Sequence, residues 1–243
     1  MSCSPERPAG TSRRTFVRLA AGSYGISLRA DDLRQMKPVD QAGDDPALAA
    51  LLGRIRDYTA RHDSARLESL MLPDFRVEFD SGKGPQAFRR HWRSASAASP
   101  LWTVLERLMA LGGTFYSSTL FAVPYVYTRF PIDLDPLAHV VSLGSGVGVL
   151  DKPEAGARRL NALDYTIAPL ARPFKPPVLL AQESYLEITL PESGTCFVSA
   201  ADVYSPAGHR AFFEKRKGQW RWISLAAATL NDPPVLAHPE KRS

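Results

Sequence analysis

Few side chains in this sequence have a type and spacing that could do acid–base or metal chemistry. The histidines lie far apart, and none belongs to an HExxH, His-x-His or Cys-x-x-Cys pattern: they are His62, His91, His139, His209 and His238. A metal site needs several ligands at characteristic spacings. The sequence therefore predicts no metal ion, and we expect no other cofactor.

Two pairs of nearby residues could in principle exchange a proton. His62 and Asp63 stand where one predicted helix ends and the next begins, so a structural role at the helix dipole and as a cap is favoured over an acid–base pair. Asp133 and Asp135 lie between prolines, and the turn preference of aspartate explains both. The glycine-rich residues 144–148 open no helix, so they lack the amide groups of a phosphate site. With no catalytic residue identified, we expect a protein that is not an enzyme.

The positive charge of the chain is concentrated at its beginning. The 243 residues carry 30 Lys and Arg against 25 Asp and Glu, a net charge of +5. Five arginines and a single glutamate in residues 1–30 supply most of that excess. A nucleic-acid-binding protein needs a dense basic face on its folded domain, so the nearly neutral remainder predicts no nucleic-acid partner.

The basic start has the pattern of an export signal. Residues 12–18 (SRRTFVR) resemble the twin-arginine signal of bacteria, with Arg13, Arg14 and Phe16 at its defining positions, and a short apolar stretch follows at residues 19–28. This resemblance implies a periplasmic or otherwise exported protein. The alternative is a basic N-terminus without a signal function, in which case the protein is cytoplasmic. No stretch reaches the roughly 18 apolar residues of a membrane span.

The first half of the chain has the periodicity of helices. Asp45 and Pro46 form a capping signal, and apolar residues at helical spacing follow to Tyr58. Further helices are predicted from residue 63 to Pro73, over 85–92 and over 100–111. One alternating segment, residues 75–79, is predicted as a strand.

The second half of the chain has the sequence pattern of β-structure. Residues 115–136 are predicted as an extended aromatic connector, and short β-like runs separated by turns follow from residue 137, which indicates a small barrel or sandwich. Residues 210–216 and 219–225 predict a hairpin, in which Trp220 and Trp222 share one face that we expect to be core. A lone strand at 75–79 cannot form a stable sheet, so the C-terminal hairpin is expected to complete one.

Several segments together resemble a family of uncharacterised bacterial proteins with an SH3-like domain. Residues 146–153 (GVGVLDKP) are similar to the first strand and turn of that domain, and 185–188 and 196–198 take the places of later strands. Residues 122–131 (AVPYVYTRFP) and 204–220 (YSPAGHRAFFEKRKGQW) resemble the frame around the domain. The resemblance implies an α+β fold: an N-terminal helical segment with a small sheet completed by the C-terminal hairpin, and an inserted SH3-like small β-barrel.

The resemblance also implies a division of the chain and a function. The expected segments are a leader (1–30), an α+β domain with the connector (31–136), the SH3-like barrel (137–204), the hairpin packed on the N-terminal domain (205–230) and a disordered tail (231–243). Such a protein would be a non-enzymatic envelope protein that binds a peptide, a protein or cell-wall material. By analogy with SH3-like grooves, the expected ligand-binding residues are Tyr125, Tyr127, Tyr165 and Tyr185. The oligomeric state stays open.

A second resemblance keeps a different function open. Residues 58–63 (YTARHD) and 70–75 (LMLPDF) are similar to the start of a nuclear-transport-factor-like α+β cone. Such cones hold a small apolar ligand or act as isomerases or dehydratases. This alternative predicts that His62 or Asp63 lines a closed pocket, whereas the SH3-like interpretation predicts a shallow tyrosine-lined groove.

Overall fold

The computed structural model describes residues 33–77, 82–175 and 183–227. Arg13, Arg14 and Phe16 of the export pattern, and the expected tail at 231–243, lie outside these ranges. Within them, no helix combines the length and the apolar composition needed to cross a membrane. The fold is α+β, as the sequence predicts.

Five α-helices belong to the first half of the described chain. They are α1 (Pro46–Ala60), α2 (Ser64–Ser69), α3 (Gly84–Trp92), α4 (Pro100–Ala110) and the single turn α5 (Tyr125–Thr128). The predicted capping signal of α1 is confirmed, because the Asp45 carboxylate accepts the backbone N–H groups of Ala47 and Leu48 at 3.0 and 3.3 Å. The apolar stripes of α1 and α4 face the core.

The boundary between α2 and the first strand differs from the prediction. The helix ends at Ser69, and β1 (Met71–Arg76) begins two residues later, with Pro73 inside the strand. Proline cannot donate a ladder hydrogen bond, so it is confined to edge strands and strand ends. Because β1 lies at the edge of its sheet, Pro73 is tolerated there and does not mark the helix end.

One sheet combines β1 with β2 (Thr114–Ser117), β3 (Leu120–Val123), β11 (Arg210–Arg216) and β12 (Gln219–Ala226). Its five strands lie in the order β1-β12-β11-β3-β2. The hairpin of β11 and β12 pairs with β3 on one side and, in parallel, with β1 on the other. The prediction that the C-terminal hairpin completes a small sheet is confirmed. The segment 115–136, predicted as an extended aromatic connector, contains most of β2 and all of β3, and it departs from the prediction at the helical turn α5.

Aromatic rings fill the space between this sheet and the helices. Phe75 packs edge-on against Phe88 and Trp222, with ring centroids 5.6 and 5.0 Å apart, and Phe213 stacks on Trp222 at 6.4 Å. Trp220 is 5% exposed and Trp222 fully buried, so the prediction that both belong to the core is confirmed. The interior on this side of the sheet is therefore occupied by side chains.

The segment expected to form an SH3-like barrel forms two open sheets instead. Its strands are β4 (His139–Ser142), β5 (Val147–Leu150), β6 (Arg159–Leu163), β7 (Ile167–Pro169), β8 (Tyr185–Leu190), β9 (Gly194–Ser199) and β10 (Val203–Tyr204). They pair in the orders β10-β4-β7 and β6-β5-β9-β8. The expected barrel is wrong for a physical reason: closure requires every strand to be paired on both sides, whereas β6 and β10 each have one partner among the described residues.

Candidate functional site

Two of the four tyrosines expected to bind a ligand are buried. Tyr125 is fully buried in the main core, where desolvation raises its pKa to about 12. Tyr127 is 5% exposed, and its ring lies edge-on to Tyr116 and Phe212. The guanidinium carbon of Arg210 lies 4.5 Å from the centre of the Tyr127 ring. These contacts are those of packed core residues.

The other two tyrosines are half-buried and lie in different surroundings. Tyr165 has a positive φ of 49°, and its backbone N–H donates to Gly144 at 3.0 Å. Tyr185 lines an open hollow of about 290 Å³ beside Phe197 and the ion pair of Arg172 with Glu187. The four tyrosines thus differ in burial and surroundings, and ligand binding at Tyr125, Tyr127, Tyr165 and Tyr185 stays a prediction.

A second cavity of about 360 Å³ lies between α1 and α4. We call it the α1–α4 groove, and its apolar lining consists of Ala60, Trp102, Leu105, Met109 and Ala110. Ala60 and Ala110 are exposed and Leu105 is fully buried, so the groove has an apolar floor and opens to solvent.

A stacked pair of rings belongs to the lining of this groove. The ring of His62 lies parallel to that of Trp102, with centroids 4.9 Å apart and 8° between the planes. His62 follows the end of α1 with a φ of 52°, and its backbone N–H donates to Thr59 at 3.0 Å. Trp102 is held by its indole N–H, which donates to Ser96 at 2.9 Å. Because His62 is exposed while one face of its ring covers Trp102, the other face is accessible.

Asp63 does not join His62 in the groove. Its carboxylate accepts the backbone N–H of Arg66 at 3.0 Å and lies 3.5 Å from the Arg66 side chain. This is the cap of α2, so the predicted structural role of Asp63 is confirmed. The nuclear-transport-factor-like alternative predicts that His62 or Asp63 lines a closed pocket. The structure differs, because His62 lines an open groove and Asp63 caps a helix.

The remaining polar residues of the groove are Arg56, Thr59 and Glu106. Arg56 donates to the carbonyl of Met109 at 3.2 Å, which connects α1 to the last turn of α4. Thr59 is 4% exposed, and its hydroxyl oxygen is buried without a hydrogen-bond partner. A helical threonine ordinarily bonds the carbonyl one turn back, and a buried hydroxyl without a partner costs free energy. The Thr59 hydroxyl is enclosed by the protein, so it is not exposed to the groove.

Two ionic contacts outside the groove are structural. Asp45 accepts Lys215 Nζ at 2.9 Å and the Trp220 indole N–H at 2.8 Å, and these hydrogen bonds hold the pKa of Asp45 well below its usual range. Glu68, 5% exposed, accepts hydrogen bonds from Arg89 and from the Ser94 hydroxyl. Both carboxylates are fully engaged by groups of the protein itself. Over residues 33–77, 82–175 and 183–227, no cluster of three or more His, Cys, Asp or Glu could hold a metal ion.

Cys196, the one cysteine among the described residues, has the surroundings of a structural residue and not of a reactive thiol. Cys196 is buried in β9 and free, and desolvation raises the pKa of its thiol. A raised pKa lowers the thiolate fraction on which reactivity depends. The predicted role of Cys196 as a packed strand residue is confirmed.

Comparison with known proteins finds similar solved structures but no family to which the chain belongs. No family model matches the chain, and neither does any curated protein. A Xanthomonas campestris structure described as a calcium/calmodulin-dependent protein kinase II association domain is 9% identical, with a TM-score of 0.28, over 83% of this chain and 99% of the other. An NTF2-like protein with a cystatin-like fold from Novosphingobium aromaticivorans is 15% identical, with a TM-score of 0.27, over 76% and 80%. A cystatin-like protein of unknown function from Nostoc punctiforme is 13% identical, with a TM-score of 0.24, over 83% and 100%.

The expected membership of an SH3-like family is wrong. Residues 137–204 form two open sheets where the family requires a barrel. The short β-runs within residues 137–204 are compatible with either arrangement. Their pairing is decided by contacts between distant strands, which the local pattern does not contain.

Proposed function

We propose that this protein binds a small, largely apolar ligand in the α1–α4 groove and that it does so without catalysing a reaction. The observation that carries the proposal is the parallel stack of His62 on Trp102 in a groove with an apolar lining. Small-molecule sites are concave, mostly apolar and contain a few polar groups that orient the ligand. The groove has this composition, and its volume of about 360 Å³ is suitable for a small ligand that contains only a few rings.

The arrangement of the groove favours binding over catalysis. A general acid or base works best when a second group orients it and sets its protonation. Asp63, the carboxylate next to His62 in sequence, is engaged as the cap of α2. His62 is held by stacking on Trp102, which fixes the plane of its ring and supplies no proton acceptor.

The proposal keeps the ligand class of the nuclear-transport-factor-like alternative and changes its location. An interior site would require space between the sheet and the helices. The rings of Phe75, Phe88 and Trp222 occupy that space, with centroids 5.0 to 5.9 Å apart. The ligand site is therefore proposed on the outer side of α1 and α4. We also propose export of the protein, which is supported by the twin-arginine pattern at residues 12–18.

The test fills the groove without disturbing the core. Ala60 is the exposed last residue of α1 and lines the groove, so Ala60→Phe places a ring where the ligand would bind. Ala50→Phe adds the same ring to an exposed position of the same helix outside the groove lining. The probe is N-phenyl-1-naphthylamine, whose fluorescence rises in apolar surroundings. We expect binding to wild type and Ala50→Phe and loss of binding in Ala60→Phe. Equal binding by all three proteins would refute the proposal.

A further inference from the structure

Glu106 contributes a carboxylate to the α1–α4 groove that the protein itself does not engage. The side chain is exposed in α4 and belongs to the groove lining. Within the described ranges of the chain, it joins no hydrogen bond and no ion pair. Residues three and four positions away are the usual partners of a charge on a helix, and at Glu106 all of them are uncharged: Trp102, Thr103, Met109 and Ala110.

The arginine of the groove, in contrast, already has a counter-charge. Arg56 donates to the carbonyl of Met109 at 3.2 Å, and its guanidinium lies 3.9 Å from the carboxylate of Asp40. The ring of His62 packs on Trp102. Of the acidic and arginine side chains that line the groove, Glu106 is therefore the one that lacks an opposite charge among the described residues.

Apolar surface adjoins this carboxylate along α4. Trp102 and Ala110 lie one turn before and one turn after Glu106 on the same side of the helix, and all three residues line the groove. A ligand that covers this apolar surface therefore brings its own polar group close to Glu106. A positive group is favoured there, because opposite charges attract more strongly where a bound ligand excludes water.

We propose that the ligand of the α1–α4 groove is a small aromatic compound with an alkylammonium group, and that this group pairs with the Glu106 carboxylate while the ring lies on the apolar lining beside Trp102. The inference rests on the proposed function and adds the charge of the ligand and the residue that selects it. Neutral compounds of the same shape bind through the apolar lining alone, and Glu106 repels anionic ones. The groove thus discriminates by charge as well as by shape.

The experiment compares three naphthalene derivatives that differ in charge. They are 2-naphthylmethylamine, a cation at neutral pH, the uncharged 2-naphthalenemethanol and the anion 2-naphthoate, each measured by displacement of N-phenyl-1-naphthylamine from the full chain. Glu106→Gln keeps the size of the exposed side chain and removes its charge. We expect this variant to bind the amine about threefold to fivefold more weakly, the effect of one exposed ion pair, and to bind the alcohol as the wild type does.

Two further variants control for position and for the sign of the charge. Glu192→Gln removes the same charge from an exposed turn outside the groove lining, and its affinities should equal those of the wild type. Glu106→Lys reverses the charge in the groove. We expect it to bind the amine more weakly than Glu106→Gln does and to bind 2-naphthoate more tightly than the wild type does.

The outcomes separate this inference from the proposed function. An unchanged affinity of Glu106→Gln for the amine, an equal loss for the amine and the alcohol, or the same loss in Glu192→Gln would overturn the role of Glu106 and leave a groove for neutral apolar compounds. If N-phenyl-1-naphthylamine binds Ala60→Phe as it binds the wild type, the groove is not the site and both proposals fail. N-phenyl-1-naphthylamine is uncharged, so its equal binding by the wild type and Glu106→Gln is the folding control.

Discussion

The ring of His62 lies parallel to the ring of Trp102, with the centroids 4.9 Å apart and 8° between the planes. The two residues are 40 positions apart in the chain, and the packing of α1 beside α4 brings them together. His62 has a φ of 52°. A non-glycine residue with positive φ is uncommon and costs free energy.

Replacing His62 should lower the affinity for the ligand without lowering the stability of the protein. In His62→Gly the positive φ becomes favourable, while the stacked ring is lost. We expect the affinity for N-phenyl-1-naphthylamine to fall about fivefold to tenfold, the worth of one aromatic contact, with a melting temperature close to that of the wild type.

Arg93 supplies the matched control for this substitution. It has a φ of 50° at the end of α3 and does not line the groove. Arg93→Gly therefore relieves a similar backbone strain without touching the stack, and its probe affinity should equal that of the wild type. A loss of affinity of the same size in both variants would show that backbone relief, and not the His62 ring, controls binding.

The acid stability of the protein should depend on Asp45. Hydrogen bonds from Lys215 and Trp220 lower the pKa of Asp45 in the folded state. Its contribution to stability is therefore present above the pKa of the unfolded chain, near 4, and is lost as the pH falls through the folded value. We expect the unfolding free energy of the wild type to fall more steeply below about pH 4 than that of Asp45→Asn, measured by urea titration at several pH values.

Asp44 is the control for the pH prediction, because it is exposed and adjacent to Asp45. Asp44→Asn changes the net charge by the same amount without removing the contacts to Lys215 and Trp220. Its pH profile should follow that of the wild type. Parallel profiles for the wild type and Asp45→Asn would contradict the assignment.

The aromatic interior should dominate global stability. Phe88 is fully buried and contacts Phe75, Trp92 and Trp222. We expect Phe88→Ala to cost about 3–5 kcal/mol of unfolding free energy, since it removes a large ring and leaves a cavity. Ile132, at 68% exposure, is the control, and Ile132→Ala should change stability by less than about 0.5 kcal/mol. Similar losses in chemical denaturation for the two variants would contradict the described core.

Export should require the paired arginines of the leader. We expect Arg13→Lys combined with Arg14→Lys to abolish an extracytoplasmic location, because the twin-arginine pathway reads the pair itself and not only its charge. Arg7→Lys combined with Arg29→Lys changes two other arginines of the same segment and should leave export intact. Cell fractionation followed by immunoblotting measures both. Survival of export in the Arg13 and Arg14 variant would disprove the twin-arginine interpretation.

Elements with strong local signals could be predicted from the sequence. The cap at Asp45 and the apolar repeat of α1 specify a helix by neighbouring residues alone, and the alternation in residues 210–216 and 219–225 specifies a hairpin. The sequence predicts the wrong end for α2, because a proline can either end a helix or lie in an edge strand. Only the edge position of β1 shows that Pro73 does the second. The barrel was wrong for a similar reason, since strand order depends on long-range pairing.

The candidate site was only partly visible in the sequence. His62 could be singled out as a titratable residue at a helix end. Its partner Trp102 has the pattern of an ordinary member of the apolar stripe of α4. The significance of the pair comes from the packing of two helices, which leaves no local pattern in the sequence.

The most direct test of the central claim follows the four tryptophan indole N–H groups by NMR during a titration with N-phenyl-1-naphthylamine. Trp102 lines the groove, whereas Trp92, Trp220 and Trp222 do not. We predict that the Trp102 resonance shifts progressively to saturation and that the other three stay in place. Shifts at Trp220 or Trp222 with an unmoved Trp102 would contradict the account, because the ligand would then occupy the interior and not the α1–α4 groove.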